Sequence, residues 1–135
     1  MKIYTSYFAR ISRLPPDVIP ISIALYPPQG YKGYRYTKLA PTKQILSDYK
    51  NGCSVAEYTD AYRRDVLSKL DQKTFVENME SYFGGKDVCL ICYEKSGNFC
   101  HRRLVADWLR EAGYHVEEWQ PEGSQMSLFA DNGWA

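Results

Sequence analysis

The chain has 135 residues, a formal net charge of +1, 44% hydrophobic and 24% charged residues, which is the length of one domain and enough to bury roughly two-thirds of its unfolded surface without metal or disulfide staples. Near-neutrality excludes a protein that coats nucleic acid by bulk electrostatics and confines any contact with DNA to a local patch or a tether. The apolar run over residues 18–26 is interrupted by Pro20 and far too short to cross a bilayer, and four cysteines behind the opening MKIYTSYF, which has no leader pattern, suggest a soluble protein of the reducing cytoplasm.

Residues 2–5 and 18–25 are β-branched or aromatic runs that read as buried strands, the second ended by Pro27-Pro28. Residues 26–41, YPPQGYKGYRYTKLAP, carry turn chemistry over a length beyond that of a simple turn. There Tyr26, Tyr31, Tyr34 and Tyr36 interleave with Lys32, Arg35 and Lys38. Flat rings beside cations suit base stacking and phosphate contact, and they equally suit a surface loop pinned by amphipathic rings. A helix follows from near Pro41 to Asn51-Gly52, and a second starts at Ser54, whose spacing to Glu57 is that of a capping box. Its apolar face is Val55, Tyr58, Tyr62, Val66 and Leu70. Asp71 caps a third helix with Phe75, Val76, Met79 and Phe83 on its inner face, stopped by Gly84-Gly85.

Residues 87–93, DVCLICY, form an uninterrupted apolar run of the kind found in a central parallel strand covered on both faces. The loop EKSGN leads into a fourth helix, with Ser96 or Asn98 as its expected N-cap. Leu104, Val105, Trp108, Leu109 and Ala112 make its apolar stripe, and Arg103, Asp107, Arg110 and Glu111 its wet face. Gly113 stops it, and residues 114–119 read as a last strand. Strands interleaved with helices predict an α/β fold, a single small domain over residues 1–119 with a mostly parallel sheet of about four strands flanked by helices on both faces. Residues 120–135 read as a flexible tail.

The chemistry concentrates in CLICYEKSGNFCHRR, residues 89–103. Cys89-x-x-Cys92 followed by Cys100-His101 invites a zinc reading, but two residues three apart on a strand point to opposite faces and cannot readily share one ion or form a disulfide. No metal and no cofactor is therefore expected. Cys92 and Glu94, two apart, share a face at the carboxyl end of the strand, where open α/β sheets place their ligands. Cys100 and His101 fall in the first turn of the fourth helix, where unpaired amides and the helix dipole favour an anion and can lower a thiol's pKa. The candidate catalytic residues are Cys100 as nucleophile, Glu94 or His101 as acid or base, and Cys92. Arg102 at the edge of the apolar stripe is the candidate anion ligand, with Tyr4, Ser6, Tyr26, Tyr34 and Arg35 as further ligand-binding residues. Against this stands the plainer reading, that free cysteines are small buried hydrophobes and His101 a satisfied core histidine. That reading is preferred for Cys89.

In the tail, Gln125, Met126, Ser127, Leu128 and Phe129 have no obvious core to join. They resemble the bacterial sliding-clamp binding motif, with Met126 as the one mild departure, which implies that Gln125 reaches polar groups at a pocket edge while Leu128 and Phe129 fill it. The alternative is a segment folded back on the domain. Upstream, Leu90-Ile91-Cys92-Tyr93-Glu94, then Cys100-His101-Arg102, Leu104-Val105-Ala106 and Gly113 resemble the bacterial and phage family called domain of unknown function 488. Its hallmark is a strand ending in Cys-x-Glu followed by Cys-His-Arg opening a helix. The resemblance implies an α/β fold and one ligand crevice built by Cys92, Glu94, Cys100, His101 and Arg102. Many members also carry an acidic residue and an Arg at the end of the second strand, a region that reads Ile21-Ser22-Ile23-Ala24-Leu25 here.

Together these point to a bacterial or phage protein that binds a nucleotide-like or phosphate-bearing ligand, or DNA bases, and partners with the DNA sliding clamp. The alternatives are a non-catalytic binder that sequesters a nucleotide signal or inhibits the clamp, and a thiol redox sensor in which Cys92 and Cys100 pair.

Overall fold

Five short strands pair in parallel in the computed structural model, which describes residues 1–93 and 99–121. They are β1 (Ile3–Tyr7), β2 (Val18–Ser22), β3 (Tyr34–Arg35), β4 (Asp87–Cys92) and β5 (Val116–Glu118), in the order β3-β2-β4-β1-β5. Among the described residues, four α-helices, α1 (Lys43–Lys50), α2 (Val55–Asp65), α3 (Gln72–Phe83) and α4 (His101–Glu111), accompany the sheet in an α/β domain. No helix among the described residues is long and apolar enough to cross a membrane.

β4 is central, paired with β1 on one side and β2 on the other, which is why its sequence is apolar without alternation. Its side chains still alternate between faces. Val88, Leu90 and Cys92 enter the larger core with the buried residues of all four α-helices, whereas Cys89 and Ile91 join Val18 in a small cluster on the other face. That second face is closed by Phe8, Ile11 and Leu14 from the 3-10 segment Phe8–Arg13 and its exit, together with Trp119. The expectation of helices on both faces thus holds with α-helices on one face and a 3-10 segment on the other. The connector from β1 to β2 ends at Pro15-Pro16 and is too short to build a full α-helical crossover.

The sheet has one strand more than the sequence suggests, because part of the tyrosine loop joins it. Tyr31 Oη accepts from the Ser22 amide at 3.1 Å and donates to the Tyr34 carbonyl at 2.6 Å, so one phenol pins Tyr34–Arg35 beside β2. Local capping follows the sequence closely. Ser54 and Glu57 make the reciprocal capping box of α2, Asp71 accepts from the Thr74 amide at the start of α3, and Gly84 ends α3 in the left-handed region at φ 64°. The face assigned to the second helix is corrected at its start, where Val55 is 49% exposed on the first turn. The helix also ends earlier, at Asp65, and Val66 and Leu67 reach the core at the turn into the 3-10 segment Leu67–Lys69. Tyr62 is fully buried and donates its hydroxyl to the Leu39 carbonyl at 2.5 Å, tying α2 to the chain that precedes α1.

Candidate functional site

The carboxyl end of β4 and the amino end of α4 meet below a cavity. Cys92 is the last residue of β4, Cys100 is the N-cap of α4, and His101 is its first helical residue. The helix therefore starts later than expected from Ser96 or Asn98, and those two positions lie outside the described residues. Cys100 makes no capping hydrogen bond through its side chain. Its sulfur instead turns inward and is joined to that of Cys92 as a disulfide.

His101 is held from behind. Its Nε2 lies 2.8 Å from the carbonyl oxygen of Ile23, just past β2. A carbonyl only accepts, so Nε2 carries the proton and the Nδ1 lone pair faces forward, 3.7 Å from Cys100 Sγ. Burial pushes the imidazole pKa down to about 4, with the nearby Arg102 acting in the same direction and the Ile23 hydrogen bond opposing both. The ring is neutral at neutral pH.

Arg102 does not open to solvent. It is 1% exposed, because the second residue of α4 faces the sheet. Nη1 donates to Cys92 Sγ at 3.1 Å, while Nε and Nη2 form a two-point fork on the Glu118 carboxylate, each at 3.0 Å. Thr5 donates to the same carboxylate at 2.7 Å, and the guanidinium carbon lies 5.6 Å from the centroid of the Tyr7 ring. Glu118 is absent from the residues singled out in the sequence. The signal was available: Val116 and Glu118 share a face of β5, so an acid on the core-facing side needed a partner.

The cavity above the sulfurs holds about 530 Å³ and lies at the carboxyl ends of β2 and β4. Cys92, Cys100 and His101 contribute to its floor, Lys50 to its rim. One wall is a cluster of Tyr49, Tyr58 and Phe99, with ring centroids 4.9 to 5.8 Å apart and the rings mostly edge to face. Across from it stand the half-exposed Tyr26 and Tyr93, linked by a hydrogen bond from the Tyr93 hydroxyl to the Tyr26 carbonyl. Burial raises the pKa of the Tyr58 phenol, which therefore stays protonated as a donor.

Cys92, Cys100, His101 and Tyr26 are thus brought together, with Arg102 directly behind Cys92. The other expected ligand residues lie elsewhere. Tyr4 and Ser6 point to the opposite face of β1, away from Cys92, and the buried Ser6 hydroxyl has no hydrogen-bond partner among the described residues. Tyr34 and Arg35 form the exposed edge strand β3, where Tyr34 packs on Tyr82 and Phe83. Cys89 is a buried core residue in the small cluster, as the plainer reading had it. Glu94 and the tail residues Gln125, Met126, Leu128 and Phe129 lie outside the described residues.

A protein-family model, DUF488-N3a, described as the active DUF488-N3 subclade, matches residues 6–113, a span that contains β4, α4 and the floor of the cavity. No curated protein and no solved structure matches the chain.

Proposed function

The chain belongs to the DUF488-N3a family, and from that premise we propose that it is an enzyme acting on a planar, nucleobase-like ligand, a nucleotide or a DNA base, held in the aromatic cavity. The observation that carries this reading is the juxtaposition of three chemically competent groups, Cys92, Cys100 and His101, all within 4.8 Å of one another, with walls of tyrosine and phenylalanine. Aromatic walls accept the face of any base, and each such stacking contact is worth about 1–3 kcal/mol. A phosphate on the ligand would meet Lys50 at the rim and the amides at the start of α4. The family description as active favours chemistry over simple sequestration.

In this reading the disulfide is first reduced; the ligand then lies over Cys100, and Arg102 serves the site from behind by stabilising negative charge on Cys92. The tail supplies the setting. Gln125, Met126, Leu128 and Phe129 dock the chain on the sliding clamp, raising its concentration at newly made DNA and allowing a nearly neutral domain to work there.

The test is a thermal-shift screen of the reduced chain against bases, nucleosides and nucleotides, where a ligand at a hundredfold excess over its Kd stabilises by about 2.7 kcal/mol. An enzyme loses turnover in Cys100→Ser while keeping much of its ligand affinity. If no base-containing compound shifts the transition, the reading fails.

A second reading rests on the Cys92–Cys100 disulfide with Arg102 at one sulfur and His101 at the other. A thiol redox sensor would use this pair. Equilibrating the chain in glutathione buffers and following its mass tests it, since a pair that stays reduced at every poise removes this role.

A further inference from the structure

We propose that Cys92, Cys100 and His101, in the reduced chain, form a binding site for one thiophilic divalent cation such as Zn²⁺, with a fourth position open to the aromatic cavity. The inference rests on the cavity being the ligand site and names the group that acts there. The Cys89-x-x-Cys92 pair plays no part in it, because Cys89 points to the far face of the sheet. The tertiary structure assembles a different triple from the end of a strand and the start of a helix.

Four observations support it. First, the donor atoms of the three residues lie within 4.8 Å of one another, the two sulfurs joined as a disulfide that reduction opens, and all three residues are buried. Second, Cys100 Sγ and His101 Nδ1 are 3.7 Å apart. Zn–S of about 2.3 Å and Zn–N of about 2.0 Å in a tetrahedron require an S···N edge of about 3.6 Å. Third, the Cα atoms of Cys92 and Cys100 are 7.2 Å apart, wider than the roughly 4.4–6.8 Å that disulfides usually bridge. On reduction the two sulfurs have room to separate to the edge of about 3.8 Å that a shared zinc ion demands.

The fourth observation concerns the groups behind the donors. A ligating histidine nearly always gives its other ring N–H to a carbonyl or carboxylate, which fixes its tautomer, and His101 Nε2 does this with Ile23. Arg102 Nη1 donates to Cys92 Sγ, as a hydrogen bond to a metal-bound thiolate would. Two thiolates balance the charge of a divalent ion, and three protein donors leave one position for water or substrate, the pattern of catalytic rather than structural zinc. The ion would supply Lewis-acid activation at the floor of the cavity.

Full-length chain, reduced with a phosphine and desalted after loading with Zn²⁺, is expected to retain one ion per chain by mass spectrometry of the metal. Cys53→Ser should retain it equally. Cys92→Ser and Cys100→Ser should bind Zn²⁺ about 100-fold more weakly or worse, beyond the 10–100-fold cost of losing an outer partner. Should either variant misfold, Co²⁺ loaded into the wild type gives an independent readout, because thiolate ligation produces a sulfur-to-cobalt charge-transfer band and tetrahedral d–d absorption. Failure of the reduced wild type to retain Zn²⁺, or a Co²⁺ spectrum without thiolate bands, overturns the site. The base-induced thermal shift, repeated on chelator-stripped chain, separates the two ideas. A shift without metal retention leaves the cavity reading and removes the ion; metal retention without any shift does the reverse.

Discussion

Arg102 on α4 and Glu118 on β5 meet through two parallel hydrogen bonds of 3.0 Å, with the guanidinium side chain only 2% exposed and the carboxylate 27% exposed. The remaining Arg102 nitrogen reaches Cys92 Sγ at 3.1 Å, so this ion pair links the last strand to the sulfur at the floor of the cavity. Glu118→Gln keeps the shape and removes the charge. It is expected to cost about 3 kcal/mol, the low end for breaking a buried ion pair by removing one partner, because Glu118 retains some solvent. Urea denaturation of the variant checks this; a loss below about 1 kcal/mol would mean that the pair behaves as a surface bridge.

Phe99 packs on both Tyr49 and Tyr58 in the cavity wall. In Phe99→Ala a base-containing ligand identified by thermal shift should bind about 5- to 150-fold more weakly, the equivalent of one lost stacking contact. Isothermal titration of wild type and variant measures it. Equal affinities would place the ligand elsewhere.

His101 makes the metal-stripped chain sensitive to acid. Its pKa of about 4 in the folded protein lies below the ordinary value of 6.5, so the unfolded chain takes up the proton first as pH falls. The associated stability is fully present above pH 6.5, is lost between there and about pH 4, and amounts to on the order of 3 kcal/mol. The free energy of unfolding by urea, measured from pH 4 to 7 for the wild type and His101→Gln, should show a component that only the wild type has. Parallel curves would disprove it.

The tail prediction is independent of the domain. Leu128→Ala combined with Phe129→Ala should abolish retention on immobilised sliding clamp and leave the thermal transition within about 1 °C of the wild type, as substitutions outside a packed core usually do. Undiminished retention rules out the clamp motif, and a large fall in the transition shows that the segment packs on the domain instead.

Much of the fold was legible because its rules act over a few residues. The capping box of Ser54 and Glu57 and the Asp71 cap need only the spacing of one helical turn. Alternation along β4 was enough to separate Cys89 from Cys92. The tyrosine loop resisted, because Tyr34–Arg35 becomes a strand only through the Tyr31 hydroxyl reaching Ser22 and Tyr34. The apolar stripe of α4 placed Arg102 at its edge but did not show it turned inward, since its partner Glu118 comes from an element that local spacing does not connect to α4.

Sequence alone determined an α/β chain whose central strand presents Cys92 on one face and whose last helix carries Cys100 and His101 near its start. Periodicity and capping depend on neighbours within about four residues, and those are written in order along the chain. Tertiary structure decided what the sulfurs face. Ile23 sets the tautomer of His101 across 78 residues, and Glu118 holds Arg102 against Cys92 across 16. Such contacts exist only once β4 lies between β1 and β2, with β5 outside β1. Strand order arises from burying the apolar faces of all the elements at once, which no local spacing in the sequence records.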